Sequence, residues 1–412
     1  MPASFPRTGC CRGKAAVFPL LILLFGILSG CADSGSSTEG TDWQYTMVYP
    51  NNWFTLQEVS DGYFCQSGET VYFIDRGTRE IVPLCTRFGC LHGAEPDFSA
   101  RLACSAYFPV SSMSNCFSVS ENRLYTAIAA DGPSQEVLQV DPDGQNRRVL
   151  YRFTGGEWIH TLLAHRGTLY LLMTCYDENA DRRERICTLD LGSPAQTPAV
   201  LCSIDVGLSI QAMRAYGRYL YLHCYDDSLS YSSARYLRVD TVTGDVLTLP
   251  LPEEGWYPGF MTFFRDRLLF SALQDDDAED RTLCRLFSCA LDGSDVRELY
   301  RDHGFFVSDG DYIYWIRYFL PTIYDYPNGV GDLALIVLDM EGREVDRVPL
   351  DTQFQKRTVY EIIAMPGEQF ILGYSGPGET ESERMHMLYT FPKSEIGSGA
   401  ITPEFLCGVP LR

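Results

Sequence analysis

The chain lacks the short signatures by which many enzymes are recognised. It has no Gly-x-Ser-x-Gly elbow, no phosphate-cradling Gly-Lys-Ser/Thr loop, no His-Glu-x-x-His zinc pair and no haem-attaching Cys-x-x-Cys-His. The chemistries those patterns carry are therefore without support here. The stretch Gly373, Tyr374, Ser375, Gly376 approaches the elbow, but Pro377 stands where the last glycine is needed. Beyond the N-terminus there is no apolar run of 18 residues, no long Pro- or Ser-rich linker and, apart from the acidic tip Asp275 to Asp280, no run of one charge sign. The body reads as one continuous unit with no spanning helix. Positive charge is also short: 33 Lys and Arg stand against 54 Asp and Glu, a net charge of −21. Residues 1–30 hold Arg7, Arg12 and Lys14 and no acid, so the remainder carries −24. Such a body repels nucleic acid and anionic lipid, and its plainest use is colloidal stability outside a cell.

What is present is a repeat. Residues 122–152 read as two alternating strands, an Asp/Gly turn (Asp141 to Gly144) and a third strand. The same unit recurs with Asp190 and Gly192, Asp240 and Gly244, Asp292 and Gly293, and Asp339 and Gly342. The turn aspartates lie 49, 50, 52 and 47 residues apart, close to the length of a four-stranded propeller blade. The expected fold is all-β: a β-propeller of seven four-stranded blades over residues 44–412, with six or eight blades compatible with the same spacing. A first blade is expected before Leu84 and a last one from Val359 to Val409. Residues 45–49 are a possible extra strand closing the ring.

The N-terminus carries an address. Residues 1–30 have a basic start, an apolar stretch from Ala15 to Leu28 and small residues at the end, the grammar of an export signal. Leu28, Ser29, Gly30 and Cys31 resemble the lipobox of bacterial lipoproteins. That resemblance implies cleavage before Cys31, lipidation of its thiol, and anchoring on the extracytoplasmic face of a cell membrane. Residues 32–41 are small and polar, so 31–43 is expected to be a flexible tether with a reach of roughly 20 Å.

Between the first two expected blades, residues 85–115 interrupt the rhythm and contain Cys85, Cys90, His92 and Cys104. Pro83-Leu84-Cys85, Cys90-Leu91-His92 and Cys104-Ser105-Ala106 resemble a stretch found in TolB-like β-propeller lipoproteins of Gram-positive anaerobes, a group without an agreed activity. The likeness covers the lipobox, the insertion and the blade rhythm. It implies fold and location. Chemically, three thiols and an imidazole can hold zinc, although the spacing departs from the usual zinc patterns. A disulfide between two of the three, or reduced and partly buried thiols, are the other readings. Of the remaining cysteines, Cys175 and Cys187 flank one hairpin loop and are expected to face each other.

In a propeller, the connections between blades and the loops between a blade's second and third strands share one face. Trp158, Trp256, Tyr257, His303, Tyr324 and Tyr326 should all project there. Exposed aromatics beside carboxylates suit a sugar ring or a peptide, while Trp158 and Trp256 can equally plug gaps between blades. The acidic run Asp275 to Asp280 lacks calcium-loop spacing and reads as a solvated tip. His223, in mid-strand, reads as a packed residue. The function expected is a non-catalytic binding module for a peptide, glycan or partner protein. The alternatives are an envelope assembly scaffold and, with least support, a glycan hydrolase or lyase.

Overall fold

The computed structural model describes residues 54–410, apart from 93–94, 110–116, 131–133, 155, 177–181, 194–196, 205–206, 227–233, 251–255, 275–282, 318–333, 351–358, 364–367 and 378–383. Its strands form seven antiparallel sheets of four, each built from consecutive strands. The blades span residues 54–83, 117–153, 157–204, 208–248, 256–303, 305–349 and 359–410. The chain is a seven-bladed β-propeller.

Strand composition follows position in the blade. Middle strands are covered on both faces by neighbouring blades, so they read as continuous apolar runs rather than alternating ones. Gly62–Ser67 and Ala334–Leu338 are buried at every position. Last strands lie at the rim and are largely exposed, as Val246–Thr248 shows. Their open edges carry charge pairs such as Arg347 with Glu344 and Arg297 with Asp295, which discourage edge-to-edge pairing with another chain. First strands of successive blades pack together around the centre at the 1–2, 2–3, 3–4, 5–6 and 6–7 junctions.

Closure is settled by the core. Seven buried apolar clusters each draw on two adjacent blades, and one of them joins Leu56, Tyr63, Tyr72 and Ile74 of blade 1 to Ile371, Leu388, Leu406 and Val409 of blade 7. The Ser67 hydroxyl donates to the Pro410 carbonyl at 2.6 Å, and Arg79 reaches Glu404 at 2.5 Å. The ring thus closes by packing of two faces. Residues 45–49 lie outside the described residues.

The recurring aspartate anchors its turn. Its carboxylate accepts backbone N–H groups in the turn before the rim strand: Gly192 to Asp190, Val242 to Asp240, Ser294 to Asp292 and Glu341 to Asp339, at 2.9 to 3.0 Å. It is also followed, in four of the five turns, by a glycine in the left-handed region, at φ 77° for Gly244 and 76° for Gly342, Gly192 being the exception. A Cβ on Gly244 would overlap the Leu201 carbonyl oxygen of blade 3, and one on Gly342 would overlap that of Leu299 in blade 5. At these turns the repeat marks where a blade clasps the rim of the one before it, while Gly192 makes no such contact.

His223 is buried, as the sequence suggests, with Nε2 3.0 Å from the Pro258 carbonyl of the next blade. Burial holds the imidazoles of His223 and His386 down to about 4. In the unfolded chain they protonate near the ordinary value of about 6.5. Their folded-state values are depressed, so the stability they confer is complete above about pH 6.5 and is lost as pH falls towards 4. Urea midpoints should decline across that window by the equivalent of roughly 1–3 kcal/mol per group. A His386→Gln variant should show a shallower decline, and an unchanged slope would contradict this assignment.

Candidate metal centre and loop face

The insertion begins where the rim strand of blade 1 (Ile81–Pro83) ends. Leu84 N–H still donates to the Val71 carbonyl at 2.9 Å, and the Ser105 hydroxyl holds the Leu84 carbonyl at 2.9 Å. Both contacts fix Cys85. The chain then doubles back through Gly89 at φ 71° and His92 at φ 51°, the second an uncommon conformation for a residue with a side chain. A single-turn helix (Phe98–Leu102) follows, and Cys104 N–H caps it by donating to the Arg101 carbonyl at 2.9 Å.

Residues 104–108 then enter the core. Val71 N–H donates to the Ala106 carbonyl at 2.9 Å and Phe108 N–H to the Glu69 carbonyl at 2.8 Å, so the segment runs beside the third strand of blade 1. Cys104, Ala106 and Phe108 are fully buried, in one cluster with Phe64 and Val71 of blade 1 and Leu124 and Val140 of blade 2. From blade 2, Arg147 lies over the Phe108 ring at 4.9 Å and donates to the Cys104 and Tyr107 carbonyls at 3.4 Å. The insertion is a wedge between two blades.

These constraints bring Cys85, Cys90, His92 and Cys104 together. Their four donor atoms lie within 4.8 Å of one another, and His92 Nδ1 is 3.8 Å from Cys104 Sγ. No cysteine among the described residues forms a disulfide. A tetrahedral ion with metal–sulfur bonds of about 2.3 Å needs sulfurs about 3.8 Å apart, so the cluster can hold a metal with small adjustments. Around it, Glu95 Oε1 accepts from the Cys90 thiol at 3.1 Å and from Leu91 N–H at 2.8 Å. Burial opposes ionisation of Cys85, but the Arg87 N–H, the Ser105 hydroxyl and N–H, and the Cys104 thiol outweigh it and bring Cys85 down to about 7. Burial, reinforced by Cys90, pushes the Cys104 thiol up to about 12. A bound cation would supply the counter-charge that the buried sulfur lacks.

The register places the other candidates at the same end of the ring. First strands start there and last strands finish there, so the insertion, which leaves a last strand and enters a first one, shares that end. Trp158 lies near the start of the first strand of blade 3 (Glu157–His165), half-buried and opposite Thr174. Trp256 and Tyr257 open the first strand of blade 5 (Trp256–Phe264), and His303 closes its last strand (Arg297–His303). These three are placed by backbone register alone. Tyr324, Tyr326, the run Asp275 to Asp280 and Cys31 lie outside the described residues.

Sequence reasoning missed a network beside Trp158. His160 meets the Thr174 hydroxyl, which donates to Glu184 Oε1 at 2.8 Å, and Arg182 pairs with the same oxygen at 2.5 Å. Glu184 is buried, but its strand (Arg182–Asp190) opens on four charged residues, Arg182 to Arg185, so nothing in the sequence marked this glutamate as the inward-facing one. The expectation for Cys175 and Cys187 is corrected: Cys175 stands opposite Arg183 and Cys187 opposite Leu171, four positions apart along the ladder. Both line a cavity of about 120 Å³ at the seam of blades 2 and 3, with Tyr151, Phe153 and Met173.

No protein-family model matches the sequence, and no curated protein matches it. Among solved structures, the chain is similar to a prolyl endopeptidase at 10% identity and TM-score 0.45, over 82% of this chain and 47% of that one. It therefore spans about half the length of that enzyme. A putative TolB from Agrobacterium tumefaciens matches at 12% identity and TM-score 0.38, over 64% and 84% of the two chains. A putative 6-phosphogluconolactonase from Bacteroides uniformis matches at 13% identity and TM-score 0.43, over 86% and 95%. The propeller assignment stands on this chain's own sheets, and the fold by itself is common to catalysts and non-catalysts.

Proposed function

We propose that the chain is an extracytoplasmic lipoprotein whose propeller acts as a non-catalytic binding module, holding a peptide, glycan or partner protein on the end of the ring that carries the insertion. The observation behind this reading is the concentration of recognition chemistry at that end. Phe88, at the apex of the Cys85 to Cys90 loop, is wholly exposed, and Leu91 beside it is half exposed, in a stretch from Ile81 to Ala94 that contains no acid. An exposed aromatic in an acid-free window of a strongly acidic protein suits a partner's apolar pocket. Trp158, Trp256, Tyr257 and His303 share that end. The lipobox at Cys31 supplies the membrane attachment, and the ion at the Cys/His cluster is zinc, the metal favoured by three thiolates and one imidazole.

Two measurements test the anchored binder. Wild-type protein should fractionate with membranes and carry acyl mass on Cys31, and Cys31→Ser should release it. Crosslinking in cells, together with glycan and peptide arrays on the purified body, should identify a ligand whose binding weakens at least about tenfold in Phe88→Ala, the size of a modest interface anchor. Capture of another envelope protein would favour the scaffold form of the reading. A glycan hit that is then cleaved would replace it with an enzyme.

A further inference from the structure

We infer that the zinc at Cys85, Cys90, His92 and Cys104 is a closed structural site that rivets the seam between blades 1 and 2, so that this seam, and not the rest of the ring, depends on the metal. The inference rests on the zinc reading above and deepens it. It is independent of membrane attachment and of any ligand.

The first seam differs from the others in its covalent connection. Blade 2 is joined to blade 3 by residues 154–156, and blade 5 to blade 6 by Gly304 alone, whereas blade 1 reaches blade 2 only after residues 84–116. A short connection holds adjacent blades in register at little entropic cost, and a long one does so less well. The long connection also supplies part of the seam's core, because Cys104, Ala106, Tyr107 and Phe108 pack between the two blades. The segment from 104 to 108 is held by two backbone hydrogen bonds to blade 1 and by Arg147 from blade 2, and its continuity with Cys85 passes through a loop and one turn of helix. An ion bound to all four side chains would tie the end of the blade 1 rim strand directly to the wedge, cross-linking both loops.

The geometry fits a closed site. Four protein donors converge, which fills a tetrahedral zinc and leaves no position for a substrate. Nδ1 is the His92 nitrogen that approaches Cys104, and the Thr70 hydroxyl meets the His92 carbonyl at 3.4 Å, so the left-handed backbone at His92 is held from blade 1. Cys104 forms the buried floor, while Cys85, Cys90 and His92 are only partly covered, which leaves an entry path for the ion. The outer shell that orients ligands at metal sites is present in Ser105 at Leu84 and Glu95 at Leu91 N–H.

The experiment uses the mature full-length chain, purified in detergent without reductant. Elemental analysis should find one zinc per chain, and X-ray absorption should show three sulfurs at about 2.3 Å and one nitrogen at about 2.0 Å. His92→Cys should keep the ion and His92→Ala should lose most of it. Hydrogen exchange is then compared before and after a chelator strips the wild-type protein, so that no variant has to fold. Protection at Val71, Leu84 and Phe108 should fall at least tenfold, while the blade 5 strands around Phe263 and Phe270 stay unchanged. Bound zinc whose removal leaves that protection intact, or loosens every blade equally, overturns the rivet and leaves the zinc reading standing. Absence of zinc together with a disulfide among the three cysteines in non-reducing peptide maps overturns both.

Discussion

Replacing Lys393 with methionine should cost the protein about 3–5 kcal/mol, the usual penalty for removing one partner of a buried ion pair. Lys393 Nζ lies 2.5 Å from Asp309 Oδ2, with Asp309 wholly buried and Lys393 nearly so. The pair joins the first turn of blade 6 to the end of the third strand of blade 7 (Arg384–Pro392). Asp309 is further committed: the Tyr314 hydroxyl donates to Oδ2 at 2.6 Å, and Asp311 and Tyr312 N–H groups donate to Oδ1 at 2.9 Å. Burial, reinforced by Asp309, raises the Tyr314 pKa, so its hydroxyl stays protonated and remains a donor. Without the lysine, the carboxylate retains its hydrogen bonds and loses its counter-charge in a site that water does not reach. Asp309→Asn should cost less, since the amide oxygen can still accept from the turn and the charge imbalance moves to a lysine nearer the surface. Urea midpoints of the two variants give the comparison. A Lys393→Met loss under about 1 kcal/mol would mean the pair behaves as an exposed one.

Gly342→Ala should be the next most damaging, at about 2–4 kcal/mol, because two penalties fall on one atom. The left-handed conformation costs a residue with a Cβ about 1–2 kcal/mol, and crowding into packed neighbours adds about 1–3 kcal/mol. The obstacle is the Leu299 backbone carbonyl, which cannot rotate away as a side chain would. Gly217, at φ 58°, has no neighbouring atom within 4 Å of where a Cβ would stand and serves as the control. Gly217→Ala should lose only the conformational part, about 1 kcal/mol. Equal losses at the two sites would show that the inter-blade clasp carries no energy of its own.

The clasp explains why the fold was legible. The Asp and Gly of these turns obey local rules, an acceptor for turn N–H groups and a residue able to take positive φ, so they recur in the sequence between the third and fourth strands of successive blades. Blade count and closure were less legible. Blade 1 turns through Asp75 and Gly77, but the insertion puts Asp75 66 residues before Asp141, outside the even spacing of the later turns, and closure depends on which apolar faces meet across residues more than 300 apart, such as Ser67 and Pro410. The cysteine insertion was legible as a cluster of donors and not as a geometry. Its convergence depends on Cys104 being drawn into a seam whose other wall, Leu124 and Val140, comes from the following blade. Cys175 and Cys187 show the opposite case: nearness to one hairpin loop suggested a facing pair, and ladder register separated them. Trp158 stands near the start of the first strand of blade 3, and the Thr174, Glu184 and Arg182 network beside it was hidden in the sequence, because a hydrogen bond across strands leaves no periodic trace.

By itself the sequence determined the repeating four-stranded unit, its turn chemistry, the acidic character of the body and the set of donors in the insertion, since each follows from neighbouring residues and composition. Only the tertiary structure decided that there are seven blades, that the ring closes face to face, that three thiols and an imidazole share one small volume, and that Asp309 and Lys393 meet in the dark between blades 6 and 7. The reason is physical: those outcomes depend on which faces are buried against which, and burial is a property of the closed ring that no local stretch of chain carries.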